Sequence, residues 1–262
     1  MQCVLLFFSL LVLSGFSGCG HFSFYNSSWI VALRHCTKQS STMFLLAALV
    51  GCLLALTAEA RIGNCSELSF YTETSQCLLF KVICETNKYE VRRYEAAKWV
   101  TTTEWSWSMD IACMNAFMRL FDYISGENEN GQKIEMTAPV VIKIDEEKKW
   151  FWEAKQYTMS FLLPKEHQAN PPTPKDNQVF ISDTPALNVY VRSYGGWMTS
   201  WTDCHHKEAL MYDLMKDGAS FKGNCHFGVG YNSPMTLWWN RHNEVWVIAE
   251  GNPVCSSSEE MD

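Results

Sequence analysis

The strongest constraint on the fold is an internal repetition. Tyr89-Glu90-Val91-Arg92-Arg93-Tyr94 resembles Val189-Tyr190-Val191-Arg192-Ser193-Tyr194, with Val, Arg and Tyr recurring at an offset of 100 residues. Each segment precedes a second extended one, Trp99–Thr103 in the first half and Trp197–Trp201 in the second. β-Branched and aromatic residues dominate both, so each half opens on what reads as a β-hairpin. A helical pattern comes next. In the first half Ile111, Met114, Phe117, Met118, Phe121 and Ile124 recur at helical spacing, while Asp110, Arg119 and Asp122 fall elsewhere. Ser108 suits its start and Gly126 its end. In the second half Ala209, Leu210, Met211, Leu214 and Met215 form the stripe, Asp203 precedes it and Gly218 closes it. Further strands follow each helix, at 134–144 with Pro139 and at 227–237 with Pro234. Proline cannot donate to a sheet ladder, so each marks an edge or a bulge. Residues 157–163 and 244–249 read as the last strand of each half.

Each half therefore reads ββαββ. One such unit leaves a sheet face bare, so the two must share a core. The expectation is a single α+β domain over residues 61–255, its core at 77–250, with about eight antiparallel strands and two helices. The proline-rich stretch 164–177 reads as the connection between halves, and 256–262 as a solvated acidic tail.

Ahead of this domain lie two apolar stretches. The second, residues 43–60, ends in Ala58 and Ala60 at the A-x-A spacing of a signal-peptidase site. Met43 is expected to be the true start, with 1–42 an upstream extension. Each stretch is shorter than the ~20 apolar residues of a spanning helix, so no stable membrane insertion is expected after cleavage. The product would be secreted. Seven of the 11 cysteines remain beyond residue 60: Cys65, Cys77, Cys84, Cys113, Cys204, Cys225 and Cys255. An oxidising compartment should pair most of them. The number is odd, and Cys113, on the first helix, is the candidate free thiol. Asn64-Cys65-Ser66 is a glycosylation sequon. The chain is 47% hydrophobic, too apolar for disorder, and its net charge of −7 argues against nucleic-acid binding.

Six blocks resemble the SOUL haem-binding family in order: residues 89–94, 97–100, 133–140, 191–194, 230–234 and 241–246. The resemblance spans about residues 77–250, and the segment around Cys77 and Cys84 is similar to the family's secreted branch. It implies a distorted antiparallel β-barrel or curved sheet with two helices related by a pseudo-twofold axis. It also implies non-covalent capture of haem or another porphyrin in an apolar cleft beside the first helix. Met114, Phe117, Met118 and Phe121 would line that cleft, with Met136 opposite, and Arg93 and Arg119 would be the cations for the propionates. The chain departs from the family at two points. A position that is His in some members is Arg93 here, and the first helix keeps one basic residue, Arg119, where other members have more.

Other readings make different demands. The apolar stripe on the first helix can be plain core. Adjacent residues on a helix point about 100° apart, so His205 and His206 do not converge on one ion, and no metal site is expected. His242, in the turn 240–243, reads as solvent-facing. No G-x-S-x-G, H-E-x-x-H, Walker or G-x-G-x-x-G motif occurs, and no catalytic residues are expected. Glu135, Glu244 and Tyr231 are the one group from which a hydrolase would draw acid and base. A secreted module for another amphipathic ligand or a protein partner is the remaining alternative.

Overall fold

A computed structural model describes residues 60–145 and 153–255. Residues 43–59 of the expected signal segment, and the acidic tail, lie outside these residues. A short antiparallel pair, β1 (Ile62–Asn64) and β2 (Gln76–Leu78), comes first and is stapled by the Cys65–Cys77 disulfide. The body holds β3 (Phe80–Glu85), β4 (Glu90–Tyr94), β5 (Ala97–Ser106), α1 (Met109–Ser125), β6 (Val140–Asp145) and β7 (Lys155–Leu162). It continues with β8 (Val179–Thr184), β9 (Leu187–Tyr194), α2 (Ser200–Lys216), β10 (Cys225–Gly230) and β11 (Asn243–Ile248). One antiparallel sheet runs β3-β4-β9-β11-β10-β6-β7-β5-β8, curled into an open half-barrel. A second disulfide, Cys84–Cys255, ties β3 to the far end of the described chain.

The sheet order explains both the symmetry and the curl. Exchanging β4, β5, β6 and β7 for β8, β9, β10 and β11 leaves the eight-strand order unchanged when read backwards, so the β6–β10 pair sits on the pseudo-twofold axis. The expected ββαββ halves are present, but their alignment moves by one strand. The counterpart of β9 is β5, not β4. The similar segments 89–94 and 189–194 are sheet neighbours instead, with Val91 opposite Tyr190. Nor are the opening pairs hairpins. β4 pairs with β3 and β9, and β5 with β7 and β8. Two-residue links, Glu95-Ala96 and Pro185-Ala186, join strands that are not neighbours, and this draws the two ends of the sheet together.

Other boundaries also shift. β6 begins after Pro139 and β10 ends before Pro234, because neither proline has an N–H for the ladder. Trp197–Thr199 is the approach to α2, and Trp201 is already helical. Thr199 is the N-cap, in a reciprocal pair with Thr202. Asp203 lies inside the helix, buried, with His226 Nε2 2.6 Å from its Oδ2, which fastens the first turn to β10.

Side chains alternate across the sheet. On the convex face Val91, Tyr190, Val245 and Val247 meet Leu210 and Leu214 of α2. Val100, Ile142, Met159 and Phe161 meet α1. On the concave face Trp99, Val141, Val189, Val191 and Trp246 pack with Ile62, Cys65, Cys77 and Leu78 of the N-terminal strap.

Candidate functional site

The seating of α1 creates the site. Its sheet-facing side is Met109, Ala112, Ala116, Leu120 and Tyr123, all buried. Two alanines on this face let the helix sit close to β5 and β7. The stripe of larger residues is turned outward. Ile111, Met114, Met118 and Phe121 are 54%, 63%, 54% and 44% exposed. The helix thus carries two apolar stripes on nearly opposite faces, and the stripe that includes the two alanines makes the core contact. Of the expected stripe, only Ile124 is buried there.

Beside the outward stripe lies an open cleft of about 740 Å³. Phe117 and Phe121 form one wall, stacked at 5.9 Å, and Phe117 meets Phe161 edge-on at 5.2 Å. Met136, Ala138 and Val140 form the floor, where Thr137 is fixed by donating its hydroxyl to the Leu162 carbonyl at 2.6 Å. The opposite wall is the loop Gly230–Pro234. The strap clamps this loop. Glu73 accepts from Asn232 Nδ2 at 3.1 Å, from the Ser233 amide at 3.3 Å and from the Thr236 hydroxyl. These bonds outweigh burial and hold the Glu73 carboxyl below its usual range. Phe70 of the strap stacks on His242 at 3.7 Å and meets Tyr231 edge-on at 4.6 Å.

Phe117, Phe121 and Met136 therefore share the cleft, while Met114 and Met118 lie exposed on the outward stripe of the same helix and are not part of its lining. Nor are the two arginines. Arg119 leaves the other flank of α1 and binds Glu104 at 2.5 Å, Asp176 at 3.6 Å and Thr102 Oγ1 at 2.9 Å. Arg93 lies on β4, on the α2 side, paired with Glu95 at 3.4 Å, and four strands separate β4 from β7 in the sheet order. The guanidinium that does reach the cleft loop is Arg241. It donates to the Ser233 carbonyl at 3.0 and 3.1 Å and stacks over Trp197 at 4.4 Å.

Behind Tyr231 lies a buried polar hub that brings Glu244 and Tyr231 together, without Glu135. Glu244 is fully buried and surrounded by donors. Arg92 Nη1 reaches Oε1 at 2.9 Å and His242 Nε2 at 2.7 Å, while Trp246 Nε1 and the Tyr231 hydroxyl donate to Oε2 at 2.6 and 3.1 Å. Burial alone would raise the Glu244 carboxyl, but the bond from His242 and the charge of Arg92 outweigh it and hold it low. Burial, then the charge of Glu244, pushes the Tyr231 phenol far up. His242 is consequently stacked and bonded, not solvent-facing. Glu135 stands apart, exposed and accepting from Ser75 Oγ at 2.5 Å.

The family model for SOUL heme-binding protein matches residues 75–248, from the end of the strap to the last residue of β11. The chain belongs to the SOUL heme-binding protein family. SOUL relatives include heme-binding protein 2 of Homo sapiens, 39% identical over 63% of this chain and 80% of that protein. Heme-binding protein 2 of Mus musculus is 36% identical over the same shares. Heme-binding protein 1 of Xenopus tropicalis is 32% identical over 61% of this chain and 83% of that one. Among solved structures, the EcmrR C-terminal domain superposes with a TM-score of 0.47 at 9% identity, covering 66% of this chain and 99% of that one.

Proposed function

We propose that this SOUL protein binds haem or a related tetrapyrrole, without catalysis and outside the cell, in the cleft between α1 and the Gly230–Pro234 loop. The observation that carries this reading is the outward Met and Phe stripe of α1 beside that cleft. Large apolar side chains left exposed on a helix whose inner face is already packed mark a binding surface. The residues suit the group. Phe117, Phe121 and Met136 offer an apolar slot to a flat macrocycle, Met114 and Met118 present thioether sulfurs, and Arg241 brings a cation for a carboxylate. Haem supplies the iron and the conjugated ring, and the chain supplies burial and orientation.

A non-catalytic role fits the polar groups. Glu244 and Tyr231 are hydrogen-bonded to each other and buried, and Glu135 is remote from both. The relatives are named for binding heme and not for a reaction. Secretion is supported by the two disulfides, which persist in oxidising compartments. Asn64 is exposed and open to glycosylation. A hemin titration of the purified chain, followed in the Soret band, tests the reading. A saturable one-to-one shift that weakens in Met118→Asp and Phe121→Asp is expected. A linear response equal to that of an unrelated acidic protein would reject it.

A further inference from the structure

The α1 cleft lies against the convex side of the sheet, and the concave side holds a separate cavity. It is an open trough of about 790 Å³ lined from seven strands, β5 to β11. Trp99, Trp246, Phe227, Leu187, Ile248 and Phe180 make it apolar, and Phe180 is 46% exposed on the edge strand β8. The strap fills the rest of the concave face but leaves this part open.

Its polar groups are few and specific. Among the described residues, Lys143 is the one charged side chain that faces it, and Lys143 is already paired with Asp145 at 2.7 Å. Neither a cation nor an anion therefore finds a free counter-charge. One wall carries three linked hydroxyls on adjacent strands. Thr101 Oγ1 lies 2.9 Å from Ser160 Oγ and 2.6 Å from Ser182 Oγ. Each hydroxyl has one proton to give and two lone pairs to accept. Two bonds use two of the three protons, so the trio can still donate once and accept. That capacity matches a single hydroxyl or carbonyl oxygen.

We propose that the trough is a second ligand site, which takes an uncharged lipid-like molecule: an apolar body carrying one hydroxyl or carbonyl group. It is independent of tetrapyrrole binding and stands if that reading fails. The test uses the full chain and the fluorescent apolar probe N-phenyl-1-naphthylamine, displaced by 1-decanol, decanoate or decylammonium. The probe should brighten saturably, and 1-decanol should displace it at about tenfold lower concentration than either ion. Ser182→Val should weaken 1-decanol by about 3- to 10-fold, the effect of one hydrogen bond, while leaving the oxygen-free probe unchanged. Phe180→Glu, on an exposed edge strand, should weaken the probe itself, and Met118→Asp on α1 should do nothing. Absence of saturable brightening would overturn the proposal, as would equal displacement by the charged compounds. So would loss of the probe in Met118→Asp with retention in Phe180→Glu.

Discussion

Replacing Glu244 with glutamine tests the energetics of the buried hub. The amide keeps the size of the side chain but has one acceptor oxygen where the carboxylate has two. If that oxygen stays with Arg92 and His242, the amide N–H₂ faces the Trp246 indole N–H, which sits 2.6 Å from the present oxygen. A charge-assisted bond is lost, worth about 1.5–3 kcal/mol. Arg92 also keeps only the Glu90 carboxylate, at 2.8 and 3.2 Å, as a counter-charge. Removing one partner of a buried ion pair costs about 3–5 kcal/mol, so the whole change should fall there. For a domain of this size that is a fall in melting temperature of about 6–20 °C. Thermal and urea melts followed by tryptophan fluorescence measure it. The wild type should carry the pH counterpart. The folded Glu244 is held below its ordinary value, so its contribution is present above the unfolded pKa of about 4.3 and is lost as pH falls through the folded value. Glu244→Gln should lose stability less steeply over that acid range. A cost below about 1 kcal/mol, or identical acid limbs, would refute the reasoning.

Three further outcomes are expected. Leu210→Ala, at a fully buried position under α2, should cost about 2–5 kcal/mol, whereas Met215→Ala on the exposed side of the same helix should stay within about 0.5 kcal/mol in urea melts. The Cys84–Cys255 bridge spans 171 residues and Cys65–Cys77 spans 12, so chain entropy gives about 5 kcal/mol for the first against about 3 for the second; paired serine variants should keep that ranking. Burial, then the charges of Asp110 and Asp203, pushes the free Cys113 thiol up to about 12, so Cys113→Ser should leave the fast phase of thiol labelling unchanged at pH 8.

The unit order of the fold was legible because periodicity survives without contacts. The helix at Met109–Ser125 and the closing strands β7 and β11 fall within two residues of their expected bounds. Pairing was not legible, since a tight link between two strands looks the same whether they pair or turn a corner. The site was legible in part. Periodicity located the Met and Phe stripe on α1 but could not say which of two stripes packs inward, because Ala112 and Ala116 score weakly as apolar while fitting a close helix–sheet contact. Arg93 and Arg119 were unreadable as binding groups because their partners, Glu95 on the one hand and Glu104 with Asp176 on the other, are set by tertiary placement. The Glu244 hub left one trace. Glu244 directly precedes the unbroken apolar run Val245–Ile248, and a strand with such a run is covered on both faces, so an acid within it must be paired.

The most direct test of the central claim is a methyl NMR spectrum of the methionine-labelled chain as hemin is added. Haem iron is paramagnetic and broadens the nearest methyl signals first. The cleft account predicts that Met114, Met118 and Met136 broaden at low hemin ratios while Met215 on α2 stays sharp. Early broadening of Met215, or equal broadening of all four, would contradict it.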